Sequence, residues 1–349
     1  MQIGILGLKF TGKTTLFNAI TGANLPTGQG GVDPHLAVGK VPDSRLEILS
    51  DMFNPKKTVF ASVEWVDIPG FDAAGFGGAG ESNKFLEHAR KVDAIAHVVR
   101  CFDNGMDAPD PQSEIESIAL ELQLADLQIV ENRIERLNND MGRKGKVDNP
   151  FEPPLMERFL AQLEDGQPLH KLELNDDETK LSSGFSFLTL KPVIIVLNSD
   201  ESGVSEELIT YASTQASEVV DLCAKVEEEL GELDKEEQLE FLADLGISEP
   251  ASDRMVQSAY GALGLHSFFT VGEDECRAWA VRKGALAPEA AGAIHSDLQR
   301  GFIRAETCSY DHLISAGGLA EVKKENNMRL EGKQYEVKDG DIINIRFSV

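Results

Sequence analysis

Short apolar runs alternate with helical or glycine-rich stretches through the first hundred positions of the chain. QIGILGL, VEWVDIPG and AIAHVVRCF have the length and composition of buried strands. Between the first two, TTLFNAITG places Leu16, Phe17 and Ile20 on one helical face, with Gly22 as the stop. Much later, PVIIVLNSDE and SEVVDLCAK have the same buried character. The pattern predicts an α/β domain with a largely parallel sheet that is interrupted and then resumed.

Within the interruption the period changes. From Ser113, with Glu116 three residues later as a capping box, a long helix is expected to begin. Leu127, Val130, Ile134, Leu137 and Met141 recur at alternating threes and fours, the seam of a coiled coil, and the helix should stop near Gly142. GRKGKVDNPFEPP then reads as a turn, and Leu155, Phe159 and Leu163 as a returning helix. The segment is thus an antiparallel helical arm whose tip carries Arg143, Lys144 and Lys146, read either as a solvated turn or as a phosphate contact. From about Leu265 the chain becomes turn-rich. Asp339-Gly340, beside Tyr335–Val337 and Ile342–Ile345, suggests tight turns between strands of a compact β-rich module.

Charge narrows the partners. A net charge of -26 over 349 residues opposes indiscriminate binding to DNA or to anionic membranes. Any RNA contact needs a local basic patch; Arg277, Arg282, Lys283, Arg300 and Arg304 in the last module read equally as RNA-facing or solvated. The acidic stretch Lys225 to Gly246 reads as one solvated helix with Leu230, Leu233, Leu239 and Phe241 as its apolar contacts. No signal sequence or membrane span is apparent, so a cytoplasmic location is expected. Cys101, Cys223, Cys276 and Cys308 form no CxxC pair and read as packing residues.

The chemistry begins at GLKFTGKTT. Gly7 and Gly12 bracket Lys9, Phe10 and Thr11 in a loop that follows a strand and opens a helix, the setting in which backbone amides wrap phosphates. Lys13 is expected to reach the outer phosphates, Thr14 to ligate Mg²⁺, and Thr15 to complete the loop. In DIPG, Asp67 suits a water-mediated Mg²⁺ contact and the Gly70 amide can meet a terminal phosphate; the loop FDAAGFGGAGESNKF after it is expected to be mobile. In LNSDE, Asn198, Ser199 and Glu201 stand where GTP-specific proteins carry Asn-Lys-x-Asp. Glu201 crowds a guanine edge while Asn198 suits adenine, so ATP is favoured over GTP. Cys223-Ala224 fits a turn covering the base. All these motifs fall at the carboxyl ends of strands, where open α/β sheets bind ligands.

The chain resembles the Obg-like ATPases, also called YchF, through NKFLEHARKVDAIAHVVRCF, LTLKPVIIVLNSDE, FFTVGEDECRAWAVRKGALAPEAAGAIHSDLQRGFIRAE and RLEGKQYEVKDGDIINIRF. The resemblance implies a TRAFAC-class P-loop nucleotide-binding domain (1–112 and 186–264), an inserted coiled-coil arm (113–185) and a TGS domain of β-grasp type (265–349). It implies slow ATP hydrolysis with Mg²⁺ and association with the ribosome or ribosomal RNA through the arm tip and TGS domain. Phe71 matches the hydrophobic residue that the family has in place of a catalytic glutamine, and His97 matches a histidine proposed to orient water, although a lone histidine in a buried strand also reads as core. Three departures stand out. Lys9 and Phe10 replace the family's Pro and Asn, the latter of the type that supports an activating K⁺; Gly31 replaces the first-switch Thr; and DIPG replaces DIAG. They leave phosphate binding intact and put K⁺ activation and turnover in question. The alternatives are a non-hydrolysing or GTP-binding regulatory module; a small-molecule kinase fits poorly.

Overall fold

The structure, a computed structural model, describes residues 1–28, 33–70, 81–244 and 249–348. Its strands are β1 (Gln2–Leu6), β2 (His35–Lys40), β3 (Lys57–Val59), β4 (Ser62–Asp67), β5 (Ala94–Arg100), β6 (Val193–Asn198), β7 (Glu218–Leu222), β8 (Leu265–Thr270), β9 (Glu275–Arg282), β10 (Phe302–Ser309), β11 (Arg329–Glu331) and β12 (Asp341–Phe347). The helices used below are α1 (Lys13–Thr21), α2 (Ser44–Phe53), α3 (Glu81–Lys91), α4 (Pro111–Lys144), α5 (Glu152–Glu164), α6 (Asp176–Ser183), α7 (Glu206–Gln215), α8 (Ala224–Glu232), α9 (Lys235–Asp244) and α10 (Ala251–Ala262).

Two compact units emerge, Met1–Ala37 with Glu64–Arg254, and Val38–Val63 with Met255–Val349. The first holds a sheet of order β2-β4-β1-β5-β6-β7, in which β1 pairs in parallel with β4 and β5, β5 with β6, and β6 with β7. This is the interrupted α/β sheet that the apolar runs predict. The second holds the order β11-β10-β12-β8-β9-β3, mostly antiparallel. Val38–Val63, expected within residues 1–112 of the first domain, groups with the C-terminal residues because β3 pairs with β9 and Arg45 bridges to Asp339 at 3.0 Å. Tyr335–Val337 is not a strand; it makes a single bridge, Glu336 to Leu286.

The arm starts earlier than its sequence suggests. Asp110, not Ser113, is the cap, accepting from the Ser113 amide at 3.3 Å, and Pro111 occupies the first turn, where its missing N–H costs nothing. The helix also passes Gly142, since one interior glycine costs only about 1 kcal/mol, and ends at Lys144 before the left-handed Gly145. Val130 and Leu137 pack with Leu155, Met156, Phe159 and Leu163 as the seam requires, while Met141 is exposed. Arg133 pairs with Glu152 at the start of α5 and Gln123 reaches the Gly166 carbonyl beyond its end, so the two helices run antiparallel. The root of α4 belongs to the sheet: Ile118 and Leu122 pack with Ile95, and Ile115 with Ile195. Asp126, fully buried, fixes that root by accepting from the Leu188 and Thr189 amides, the Thr189 hydroxyl and Arg90.

The acidic stretch is two helices rather than one. α8 ends at Glu232 with Leu233 as its cap, and Asp234 starts a new capping box, accepting from the Glu236 and Glu237 amides while Glu237 accepts from its own. Leu230 and Leu242 are buried and Leu233 is half-buried, whereas Phe241 is exposed; the Leu239 side chain lies outside the described residues. Nor is the stretch all solvated: the buried Glu227 accepts from the Ala251 and Ser252 amides and caps α10. Among the described residues no helix is long and apolar enough to cross a membrane.

Candidate functional site

The carboxyl end of β1 runs into the phosphate-type loop, and α1 opens at Lys13. Gly12 sits at φ 88°, and a Cβ there would collide with the Asn198 amide, so the position requires glycine on both counts. Lys13 is buried, and its ammonium donates to the Leu8 carbonyl at 2.5 Å. Burial lowers its pKa to about 8, against the opposing pull of Asp67 and Glu114. A side chain at Gly70 would press on the same ammonium. Thr14 donates its hydroxyl to Asp67 Oδ2 at 2.8 Å, and burial raises the Asp67 carboxyl above its ordinary range, opposed by that bond and by Lys13.

These groups line a cavity of about 450 Å³. Lys9, Phe10, Gly12, Lys13, Thr14, Thr15, Asp67 and Gly70 all reach it. Phe10 does so from the left-handed region, φ 64°, with 54% of its surface exposed, an arrangement that a bulky residue seldom adopts. Asp33, His35 and Phe102 also line the cavity, and no motif in the sequence marks them. Gly31 and Phe71, with the rest of 29–32 and 71–80, lie outside the described residues.

The base-side candidates are placed differently. Asn198 does not offer an edge to a base: its Nδ2 donates to the Thr11 carbonyl and its Oδ1 accepts from the Ala224 amide, each at 2.9 Å. It is a strut between the loop and the β7–α8 turn, made possible because β6 ends directly beneath both. Ser199 bonds Asp221, Cys223 precedes α8, Ala224 is buried and Glu201 is exposed after β6. None of these lines the cavity; nor do Gly7 and Thr11, which shape the loop from below.

His97 is a second difference. It lies on a strand buried along its whole length and faces a smaller cavity with Ile115, Ile118, Leu122 and Leu188, away from the loop's pocket. Its Nε2 has no partner among the described residues, and burial, aided by the Lys13 charge, pushes its pKa down to about 3. The apolar root of α4 takes that face of β5, which a β-strand's alternation alone could not reveal.

The donor set at Thr14 and Asp67 is hydroxyl and carboxylate oxygen, which suits a hard cation such as Mg²⁺. Among the described residues no group of three His, Cys, Asp or Glu could hold a metal without help.

A protein from Bacillus subtilis (strain 168), named ribosome-binding ATPase YchF, is 42% identical over 367 residues, with 100% of each chain covered. The chain belongs to the YchF family. The YchF relative from Escherichia coli O157:H7 is 39% identical, covering 100% of this chain and 99% of its own. A rice protein named Obg-like ATPase 1 is 33% identical, with 100% and 92% covered. The solved structure of the Schizosaccharomyces pombe YchF GTPase superposes with a TM-score of 0.85 at 30% identity, covering 99% of this chain and 97% of that one. The family profile described as 50S ribosome-binding GTPase matches residues 2–133, and the C-terminal YchF GTPase profile, described as a protein of unknown function (DUF933), matches 265–348. The YchF resemblance and the P-loop α/β fold expected from the motifs are thereby established.

Proposed function

We propose that this chain binds ATP in the cavity at the end of β1, hydrolyses it slowly, and uses its occupancy to control docking on the ribosome. The observation that carries the nucleotide reading is the buried Lys13 beside the Thr14–Asp67 bond at one end of the cavity. In this reading Lys13 leaves the Leu8 carbonyl for the outer phosphate oxygens, and the Gly70 amide meets the terminal phosphate. Thr14 and Asp67 would hold Mg²⁺, which when bound offsets charge on the phosphate oxygens. Glu201, exposed after β6, is the remaining side chain of its motif free to meet the base and supports ATP over GTP. The ribosomal partner rests on the names of the relatives, with the arm tip and the C-terminal module as the contacting parts. In this reading the nucleotide-binding domain is 1–112 with 186–264, the arm 113–185 and the C-terminal domain 265–349, except that Val38–Val63 groups with the C-terminal residues.

A second reading, a nucleotide-binding module without turnover, is favoured by His97 facing away from the pocket and by Phe10 in place of the family's Asn. Calorimetry with ATP and GTP on the chain and on Lys13→Ala tests binding; undiminished ATP affinity in the variant would overturn the site. Single-turnover hydrolysis of labelled ATP then separates the two readings.

A further inference from the structure

We propose that Arg100 is a positioning residue of the nucleotide site: its buried guanidinium clasps the connection between β5 and α4 and so holds Phe102 in the wall of the pocket. The inference rests on the ATP reading above and adds to it a residue to which the sequence motifs assign no role.

Arg100 closes β5 and is only 5% exposed. A cation at that depth is costly unless its donors are taken up, and here one short stretch of chain takes them up. Nη1 donates to the Phe102 carbonyl at 3.2 Å and to the Asp107 carbonyl at 3.0 Å, and Nη2 to Asp107 Oδ2 at 2.9 Å. The Arg100 amide donates to Glu114 Oε2 at 3.2 Å, and Nε lies 3.9 Å from Glu114 Oε1. Between Arg100 and Pro111 there is neither helix nor strand. Asp103 and Asn104 accept from the Gly105 and Met106 amides, but those bonds stay inside the connection. Arg100 is what ties it to the end of the sheet.

Phe102 lines the nucleotide cavity and is half-buried. Holding its carbonyl sets the direction in which its ring leaves the chain. A phenyl ring offers packing to a nucleoside and nothing to a triphosphate chain, so the clasp bears on one end of the ligand while Lys13 bears on the other. Glu114, itself buried, belongs to the first turn of α4, and the charge of Lys13 reaches it. The pocket wall and the base of the arm therefore share one buried support. Lysine cannot replace the clasp, because a single ammonium lacks the rigid fork that spans the Phe102 and Asp107 oxygens together.

Calorimetry on the full chain compares ATP with tripolyphosphate, both with Mg²⁺; the second ligand has the phosphates but no nucleoside. Arg100→Lys should weaken ATP binding about tenfold, as loss of charge-assisted bonds requires, and leave tripolyphosphate binding unchanged. Phe102→Leu should weaken ATP binding to a similar degree, and adding Arg100→Lys to it should cost less than about twofold more, since the two act through one contact. Asp107 is exposed, so Asp107→Lys tests the clasp even if Arg100→Lys does not fold; a second cation beside the guanidinium should weaken ATP binding about fivefold. Unchanged ATP affinity in these variants, an equal loss for tripolyphosphate, or additive losses with Phe102→Leu would each overturn the clasp. If the wild-type chain does not bind ATP, or Lys13→Ala binds it undiminished, the nucleotide reading falls and the clasp with it. If Lys13→Ala loses ATP while Arg100→Lys and Asp107→Lys bind it like the wild type, the clasp alone falls.

Discussion

Asn198 holds Thr11 in place: its Nδ2 donates to the Thr11 carbonyl at 2.9 Å, across 187 positions of chain. Because its Oδ1 is spent on Ala224 as well, one side chain fixes both the phosphate loop and the turn before α8. Asn198→Ala should leave a buried carbonyl and a buried N–H unpaired, costing about 2–3 kcal/mol. Urea denaturation checks the stability, and calorimetry should show ATP affinity falling with it. An unchanged denaturation midpoint would mean that the strut carries no weight.

Phe10 occupies a left-handed backbone position that asparagine adopts more readily than phenylalanine. Phe10→Asn is expected to stabilise the chain by about 0.5–1 kcal/mol through relief of that strain. With no Asn in the loop, hydrolysis by the wild-type chain should be equal in KCl and NaCl. Clear stimulation by K⁺ would refute that expectation.

Asp126 is fully buried and pairs with Arg90 at 3.1 Å while accepting three further hydrogen bonds. Asp126→Ala should cost about 3–5 kcal/mol, since it strands a cation and two buried amides together. Thermal melts give the magnitude, and a loss below about 1 kcal/mol would argue against the anchor.

His97 predicts an acid-sensitive fold. Its folded pKa is lowered to about 3 from the ordinary 6.5, so below 6.5 the unfolded chain binds a proton that the folded chain refuses. Stability from this group is complete above 6.5 and declines as pH falls toward 3. In His97→Leu that decline should be shallower than in the wild type, as read from denaturation midpoints at several pH values.

Much of this was legible in the residues. The buried runs, the loop glycines and Lys13 each obey a local rule, and a local rule needs only neighbours in sequence. The seam from Val130 to Leu137 was readable for the same reason. What escaped depends on distant pairing. Asn198 meets Thr11 only after β6 and the loop converge, and Glu227 finds α10 only because α8 packs beside it. His97 shows the limit most plainly, because both faces of a central strand are buried and alternation cannot say which one meets the nucleotide. Pro111 and Asp110 were present in the sequence as a start signal, but the capping-box pattern at Ser113 competed with them.

The helix that begins at Pro111 does not break between its buried root and its exposed tip. Its 34 residues form a rod about 50 Å long at 1.5 Å per residue. From Asp126 and Ile118, where the sheet grips it, the helix runs on for about 27–39 Å, so a tilt of about 10° there would sweep the far end through about 5–7 Å. The arm is thus geared: ångström-scale adjustment beneath the sheet becomes displacement on the scale of a macromolecular contact, with no hinge between them.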